Sequence, residues 1–141
     1  MAFSVSATRT IAAPAAAIFD LLADPRQHVR LDGSGSVTEV VAAPPRLSLG
    51  ATFTMRMRIG ATYATRNVVS VYEENRAIAW HHFARFTWRY DLVEVSGSTR
   101  VTESFTYNNP LGLVIVALGW PRRNQRAMER TLERLDAAVT S

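Results

Sequence analysis

The stretch Thr52-Phe53-Thr54-Met55-Arg56-Met57-Arg58 alternates polar and apolar side chains without a break. Successive side chains on a strand point to opposite faces, so Phe53, Met55 and Met57 share one face while Thr54, Arg56 and Arg58 share the other. An apolar face backed by a charged one belongs to an antiparallel strand, packed on a core on one side and wet on the other. The period recurs downstream. Phe86, Trp88, Tyr90 and Leu92 form one apolar series, and Val101, Glu103, Phe105 and Tyr107 alternate against Arg100, Thr102, Ser104 and Thr106. Gly60-Ala61, Glu73-Glu74-Asn75-Arg76 and Ser96-Gly97-Ser98 punctuate these runs as turns, with further strands at 63–72 and 77–83 between them.

Working outward, Val5 and Ile11 flank an opening strand. Residues 14–22 read as a short helix, with Pro14 in its first turn and Ile18, Leu21 and Leu22 on one face. Asp24-Pro25 starts a second short turn or helix with Asp24 as N-cap, and Asp32-Gly33-Ser34-Gly35-Ser36 breaks it before a strand at 37–41. Beyond Asn108-Asn109-Pro110 the period becomes helical. Leu111, Val114, Ile115 and Leu118 form one stripe, Gly119-Trp120-Pro121 interrupts, and Met128, Leu132, Leu135 and Val139 form a second. Strands gathered apart from helices give an α+β class, and the 141 residues hold one domain's worth of chain with no internal repeat or linker. A helix laid across a bent sheet need not fill its concavity, so an apolar cavity between them is expected.

Composition removes whole chemistries. All 16 basic residues counted as Lys+Arg are arginine, so mechanisms needing an ε-amine are closed to this chain. Cys is 0, which removes thiol nucleophiles, disulfides, cysteine zinc sites and iron–sulfur clusters. The Arg- and Ala-heavy usage points to a GC-rich bacterial genome. A net charge of +4 suits solubility without indicating nucleic acid. Arg122, Arg123, Arg126, Arg130 and Arg134 are interleaved with Glu129, Glu133 and Asp136, which reads as a solvated face with i,i+3 and i,i+4 pairs rather than a nucleic-acid stripe. Residues 1–10 lack the charged and apolar regions of a signal peptide, and the apolar stretch 111–120 is about half the length of a spanning helix. The expectation is a cytoplasmic protein with no membrane insertion, monomeric or homodimeric.

Several residues carry a resemblance: Ile11-Ala12-Ala13-Pro14 ahead of Ile18-Phe19, Asp24-Pro25, Gly50-Ala51-Thr52-Phe53, Ile78-Ala79-Trp80, Gly97-Ser98-Thr99-Arg100-Val101-Thr102 and Thr131-Leu132-Glu133-Arg134-Leu135. Their order resembles the START-like superfamily, also called SRPBCC or Bet v 1-like, and within it the polyketide cyclase/dehydrase and lipid transport branch. The resemblance implies a helix-grip fold: a curved antiparallel sheet of about seven strands wrapped on a long C-terminal helix, with two short helices after the first strand. Such families include lipid carriers, hormone receptors, aromatase/cyclases and chaperone regulators, and the fold does not choose among them.

The candidate site residues are few. Phe53, Met55, Met57, Trp80, Trp88, Tyr90, Phe105 and Tyr107 form an aromatic and methionine-rich inner surface, readable as plain core or as the wall of a ligand site. Met128 of the last stripe and Trp120 at the helical break would close it, and Gly33-Ser34-Gly35 would loop over its mouth. His81 and His82 are adjacent on a strand and point to opposite faces, so they cannot share a metal; with no HExxH pattern, no metal or cofactor is expected. His82 follows Ile78 and Trp80 inward, either as a rim histidine satisfied by water or backbone, or as a polar fixture in the cavity. Glu103 shares its parity with Val101 and Phe105. A buried carboxylate costs several kcal/mol unless paired. A solvent-reaching rim position is therefore the first expectation, and an interior one requires a partner such as His82 or an arginine.

The function expected is binding, transport or sensing of a small hydrophobic molecule, lipid or polyketide-like, with His82, Tyr90 or Glu103 fixing its orientation. An aromatase/cyclase-type enzyme using the same three residues as acid and base is the alternative. A protein-interaction module of the chaperone-regulator type is the third reading.

Overall fold

The computed structural model describes residues 3–82, 86–107 and 120–140. The strands are β1 (Phe3–Ile11), β2 (Val37–Ala42), β3 (Thr52–Ile59), β4 (Ala61–Glu73), β5 (Ala77–His81), β6 (Thr87–Val95) and β7 (Ser98–Tyr107). The helices are α1 (Ala15–Leu22), α2 (His28–Leu31) and α3 (Trp120–Thr140), with a single 3-10 turn at Pro25–Gln27 before α2. The strands form one antiparallel sheet in the order β1-β7-β6-β5-β4-β3-β2, so β2 through β7 are a meander and β1 closes onto β7. Register breaks between Val69 and Val71 on β4, and twice along β2, bend the sheet where bulges increase local twist. The result is the α+β helix-grip architecture.

Alternation decides which face is buried. Phe53 and Met55 on β3, Tyr90 and Leu92 on β6, and Val101, Phe105 and Tyr107 on β7 all point into the molecule. From α3, Ala127, Met128, Thr131, Leu132 and Leu135 are buried at helical spacing, so the helix lays one stripe into the sheet's concavity. Two apolar clusters result: a large one around Ile11, Phe19, Phe53, Tyr90 and Leu135, and a small one of Phe86, Phe105, Tyr107 and Met128. Trp88 packs against both.

The short helices are held by tertiary bonds rather than by their own caps. Pro14 is the N-cap of α1, one position earlier than the first-turn place expected, and has no side-chain acceptor. The carboxylate of Glu94 on β6 takes the Ala15 N–H at 2.6 Å instead. Asp24 does cap its turn, accepting from the Arg26 N–H at 3.0 Å.

Two boundaries near the site differ from the sequence reading. β5 ends at His81, two residues short of the expected strand, so His82 follows the strand rather than belonging to it. α3 begins at Trp120, and Pro121 falls in its first turn, where a missing N–H is tolerated. The stripe from Leu111 to Leu118 and the side chain of Trp120 lie outside the described residues.

Candidate functional site

On the inner face of β7, flanked by β1 and β6, lies one carboxyl. Glu103 is 0% exposed. Its face is the one alternation assigns it, and the rim position is overturned. In register it stands opposite Tyr90 on β6 and Ala7 on β1, with Trp88 diagonal to it. The Trp88 indole Nε1 donates to Glu103 Oε2 at 2.6 Å. Among the described residues the interior partner is thus an indole, neither His82 nor an arginine. Oε1 is buried and accepts no hydrogen bond from the described residues.

Burial outweighs that one donor. Desolvation pushes the Glu103 carboxyl up to about 8, with Trp88 and Tyr90 pulling the other way and the Asp32 carboxylate adding to the rise. Tyr90 exerts that pull without closing a hydrogen bond of normal geometry to Oε1. At neutral pH the carboxyl therefore holds a proton, and because Oε2 accepts from Trp88 the proton sits on Oε1. Burial and the neighbouring Glu103 also raise the Tyr90 phenol well above its ordinary value.

Around this carboxyl the aromatic residues form a continuous surface. Trp80 lies 5.5 Å from Phe53 and 5.8 Å from Tyr90, ring centre to ring centre. Trp88 meets Phe105 edge-on at 4.4 Å, and Phe105 meets Tyr107 at 4.7 Å. Phe53, Met55, Tyr90, Phe105, Tyr107 and Met128 are buried, whereas Met57, Trp80 and Trp88 keep part of their surface accessible. Tyr107 is further fixed by Asn124 of α3, whose Nδ2 donates to its hydroxyl at 2.5 Å. His82 is half-buried with its ring 5.3 Å from Phe86, so it belongs to the small cluster; burial and the adjacent His81 lower its pKa.

Three contributors escaped the sequence reading. His28 of α2 stacks on Trp80 at 4.9 Å and meets Phe53 edge-on at 5.6 Å. Its Nε2 bonds the Leu22 carbonyl at 2.8 Å, which fixes the proton on Nε2, and burial lowers its pKa. Thr65 and Asn67 of β4 are buried on the inner face opposite Met55 and Phe53 respectively. Alternation offered no apolar signal there, because both are polar.

The Asp32–Ser36 loop lies against α3. Gly33 N–H donates to Thr131 Oγ1 at 2.8 Å, Arg130 Nε donates to the Gly33 carbonyl at 2.8 Å, and Arg134 Nη1 to the Asp32 carbonyl at 2.5 Å. Arg130 and Arg134 thus hold a loop, and among the described residues no ion pair is internal to α3, contrary to the i,i+4 pairs expected. The Asp32 carboxylate accepts from Ser34 N, Ser34 Oγ and Val37 N. Its charge bears on Glu103, Tyr90 and His28 alike. Two surface clefts lie elsewhere: one of about 380 Å³ between β1 and α3, and one of about 660 Å³ at the β4–β5 turn beside β6. Among the described residues no three His, Asp or Glu side chains converge to hold a metal, and no helix is long and apolar enough to cross a membrane.

Residues 2–140 match the family model described as polyketide cyclase/dehydrase and lipid transport. The chain belongs to this family. Among curated proteins it is similar to the uncharacterized protein Rv0088 of Mycobacterium tuberculosis, 35% identical over 138 residues. That alignment takes in 93% of this chain but only 62% of the relative, so the chain spans less than two thirds of the curated relatives it matches. Among solved structures it is similar to protein Ms6760 from Mycobacterium smegmatis, at 25% identity and a TM-score of 0.71 over 97% of this chain and 90% of that one. The di-domain aromatase/cyclase StfQ from the steffimycin biosynthetic pathway shares the fold, with a TM-score of 0.77 at 13% identity over 99% of this chain and 51% of that one. For this polyketide cyclase/dehydrase family member, the inner face around Glu103 is the candidate site.

Proposed function

We propose that this family member is a single domain that binds a small hydrophobic molecule between the inner face of its sheet and α3, as a cytoplasmic monomer or homodimer. The observation that carries the reading is the contrast on one face: Trp80, Trp88 and Met57 stay partly accessible on the sheet face that wholly buries the Glu103 carboxyl. Partly accessible aromatic surface on a concave face gains free energy by being covered, at about 25 cal/mol per Å² of apolar area. The polar groups among it orient rather than drive the ligand. Phe53, Met55, Phe105, Tyr107 and Met128 would back the wall, and Tyr90, His82 and Glu103 would orient the ligand.

The experiment is native mass spectrometry of protein purified from its own host, looking for a co-purified small molecule, followed by tryptophan fluorescence with a naphthalene probe. Saturable quenching of Trp80 and Trp88 with a rise in thermal stability is expected. No shift with any apolar probe would sink the reading in favour of an interaction module.

A second reading is favoured by the proton on Glu103. A neutral carboxylic acid in an apolar site is a general acid poised near physiological pH, as an aromatase/cyclase-type aldol cyclisation or dehydration needs. Glu103→Gln separates the two readings: a binder keeps its ligand, whereas an enzyme keeps its ligand and loses turnover.

A further inference from the structure

Among the described residues the carboxyl of Glu103 has no positive counterpart. On β6 the groups facing it are Tyr90, a phenol, and Trp88, a neutral donor. On β1 its register neighbour is Ala7, and the cation nearest along that strand, Arg9, is engaged with Asp136 at 2.8 Å. The buried residues of α3 are Ala127, Met128, Thr131, Leu132 and Leu135, while Arg130 and Arg134 bond main-chain carbonyls of the loop. From α2, His28 is tied to Leu22 and disfavours a charge. The remaining charge that bears on Glu103 is Asp32, and it is negative. Oε1 closes no hydrogen bond of normal geometry with the described residues.

A site of this kind, with one unpartnered buried carboxyl, a second carboxylate acting on it and accessible indole surface, is complementary to a cation with apolar substituents. Indole faces attract cations through the ring quadrupole, and a carboxylate without a counter-charge gains most from one brought in by the ligand. The geometry points to a hydrophobic amine as the ligand class, its ammonium donating to Glu103 Oε1 and its apolar body covering Trp80 and Trp88.

The proposal rests on the pocket reading above and adds the sign of the ligand's charge. It has a proton balance. Binding breaks the O–H bond on Oε1, the proton leaves to solvent, and the ligand's N–H takes its place against an ionised carboxylate. The excess of carboxylates is what makes an amine preferable to a carboxylate ligand, whose charge would add to that of Asp32.

The test uses three probes of one shape on the full chain: ethylnaphthalene, naphthylmethylamine and naphthylacetate. Titration calorimetry in two buffers of different ionisation enthalpy reads the protons released. Near neutral pH the amine is expected to bind on the order of tenfold tighter than the hydrocarbon. It should release about one proton per ligand. Its affinity should climb up to about tenfold per pH unit until Glu103 ionises unaided. Glu103→Gln, which keeps an acceptor for Trp88, should erase the amine's advantage over ethylnaphthalene and its proton release. Equal binding of amine and hydrocarbon with no proton released overturns the amine class and leaves the pocket standing. An affinity that falls as pH rises overturns it too, because that is the behaviour of a neutral acceptor bound to Oε1–H. Silence from all three probes overturns the pocket reading and the amine class together.

Discussion

The indole of Trp88 and the carboxyl of Glu103, diagonal neighbours on β6 and β7, share one hydrogen bond of 2.6 Å, and that bond satisfies only half of the carboxyl. A single neutral donor does not offset the desolvation of a carboxylate, so the group keeps its proton and stores a pH-dependent penalty in the fold.

Glu103 should make the protein less stable as pH rises. Its folded pKa, about 8, stands above the ordinary 4.5, so between those values the folded state holds a proton that the unfolded state has lost. Stability then falls with pH by up to roughly 1.4 kcal/mol per unit. It levels off once the folded carboxyl ionises. Glu103→Gln removes this penalty. Wild type and variant should match near pH 4.5, and the variant should be ahead by on the order of 3 kcal/mol at pH 7. Denaturant unfolding of both across that range decides it; parallel curves would falsify the buried neutral acid.

Trp88→Phe takes away the one donor and keeps most of the ring. Neither carboxyl oxygen then closes a hydrogen bond with the described residues, at a cost of about 1–3 kcal/mol. The Glu103 pKa should rise further, since Trp88 is the larger of the two groups holding it down. Side-chain carboxyl NMR of the two proteins reads the shift, and an unchanged titration would show that the indole bond does not matter.

The sheet faces were legible because alternation is a local property. Phe53 and Met55, and Val101 through Tyr107, lie inside as their parity assigns them, and the α3 stripe from Met128 to Leu135 is buried as its spacing indicates. What failed to show is long-range. His28 sits on a four-residue helix with no periodicity of its own, and only the folded chain lays it on Trp80. Nothing in the spacing names the indole as the partner of Glu103, because a buried carboxyl that stays protonated requires no cation. The α3 arginines illustrate the same limit, for spacing proposes neighbours on the helix and cannot see the Asp32 and Gly33 carbonyls that hold Arg134 and Arg130.

Gly33→Ala should unclamp the Asp32–Ser36 loop. A Cβ there would overlap the Ala127 carbonyl oxygen and come within 2.6 Å of Arg130 Cβ and 2.7 Å of Thr131 N. Helix backbone cannot give way as a side-chain tip can, so the loop must lift. The bond from the residue 33 amide to Thr131 is then lost, for a total of about 1–3 kcal/mol. Gly35→Ala is the control. A Cβ at Gly35 meets nothing within 4 Å, so only its positive φ of 71° is strained. That costs roughly 1–2 kcal/mol with no effect on the clamp. Hydrogen exchange at the residue 33 amide separates them: faster exchange in the first variant alone is expected, and equal protection in both would remove the clamp from the account.

His28 should act on the acid side with the opposite sign. Burial lowers its folded pKa beneath the ordinary 6.5, so as pH falls below 6.5 the unfolded chain takes up a proton that the folded state refuses. Stability contributed by the neutral imidazole is therefore complete above that pH and drains away below it. His28→Phe keeps a ring against Trp80 but loses the bond to Leu22, at a cost of about 1 kcal/mol at pH 7.5. Toward pH 5 the gap between the two proteins should narrow, because the variant has no proton to refuse. Glu103 moves stability the other way across the same range, so His28→Phe is best measured in the Glu103→Gln background, where the carboxyl no longer titrates. A gap that stays constant from pH 7.5 to 5 would mean that His28 titrates in the folded protein as it does in the unfolded chain, and that its stacked position carries no desolvation.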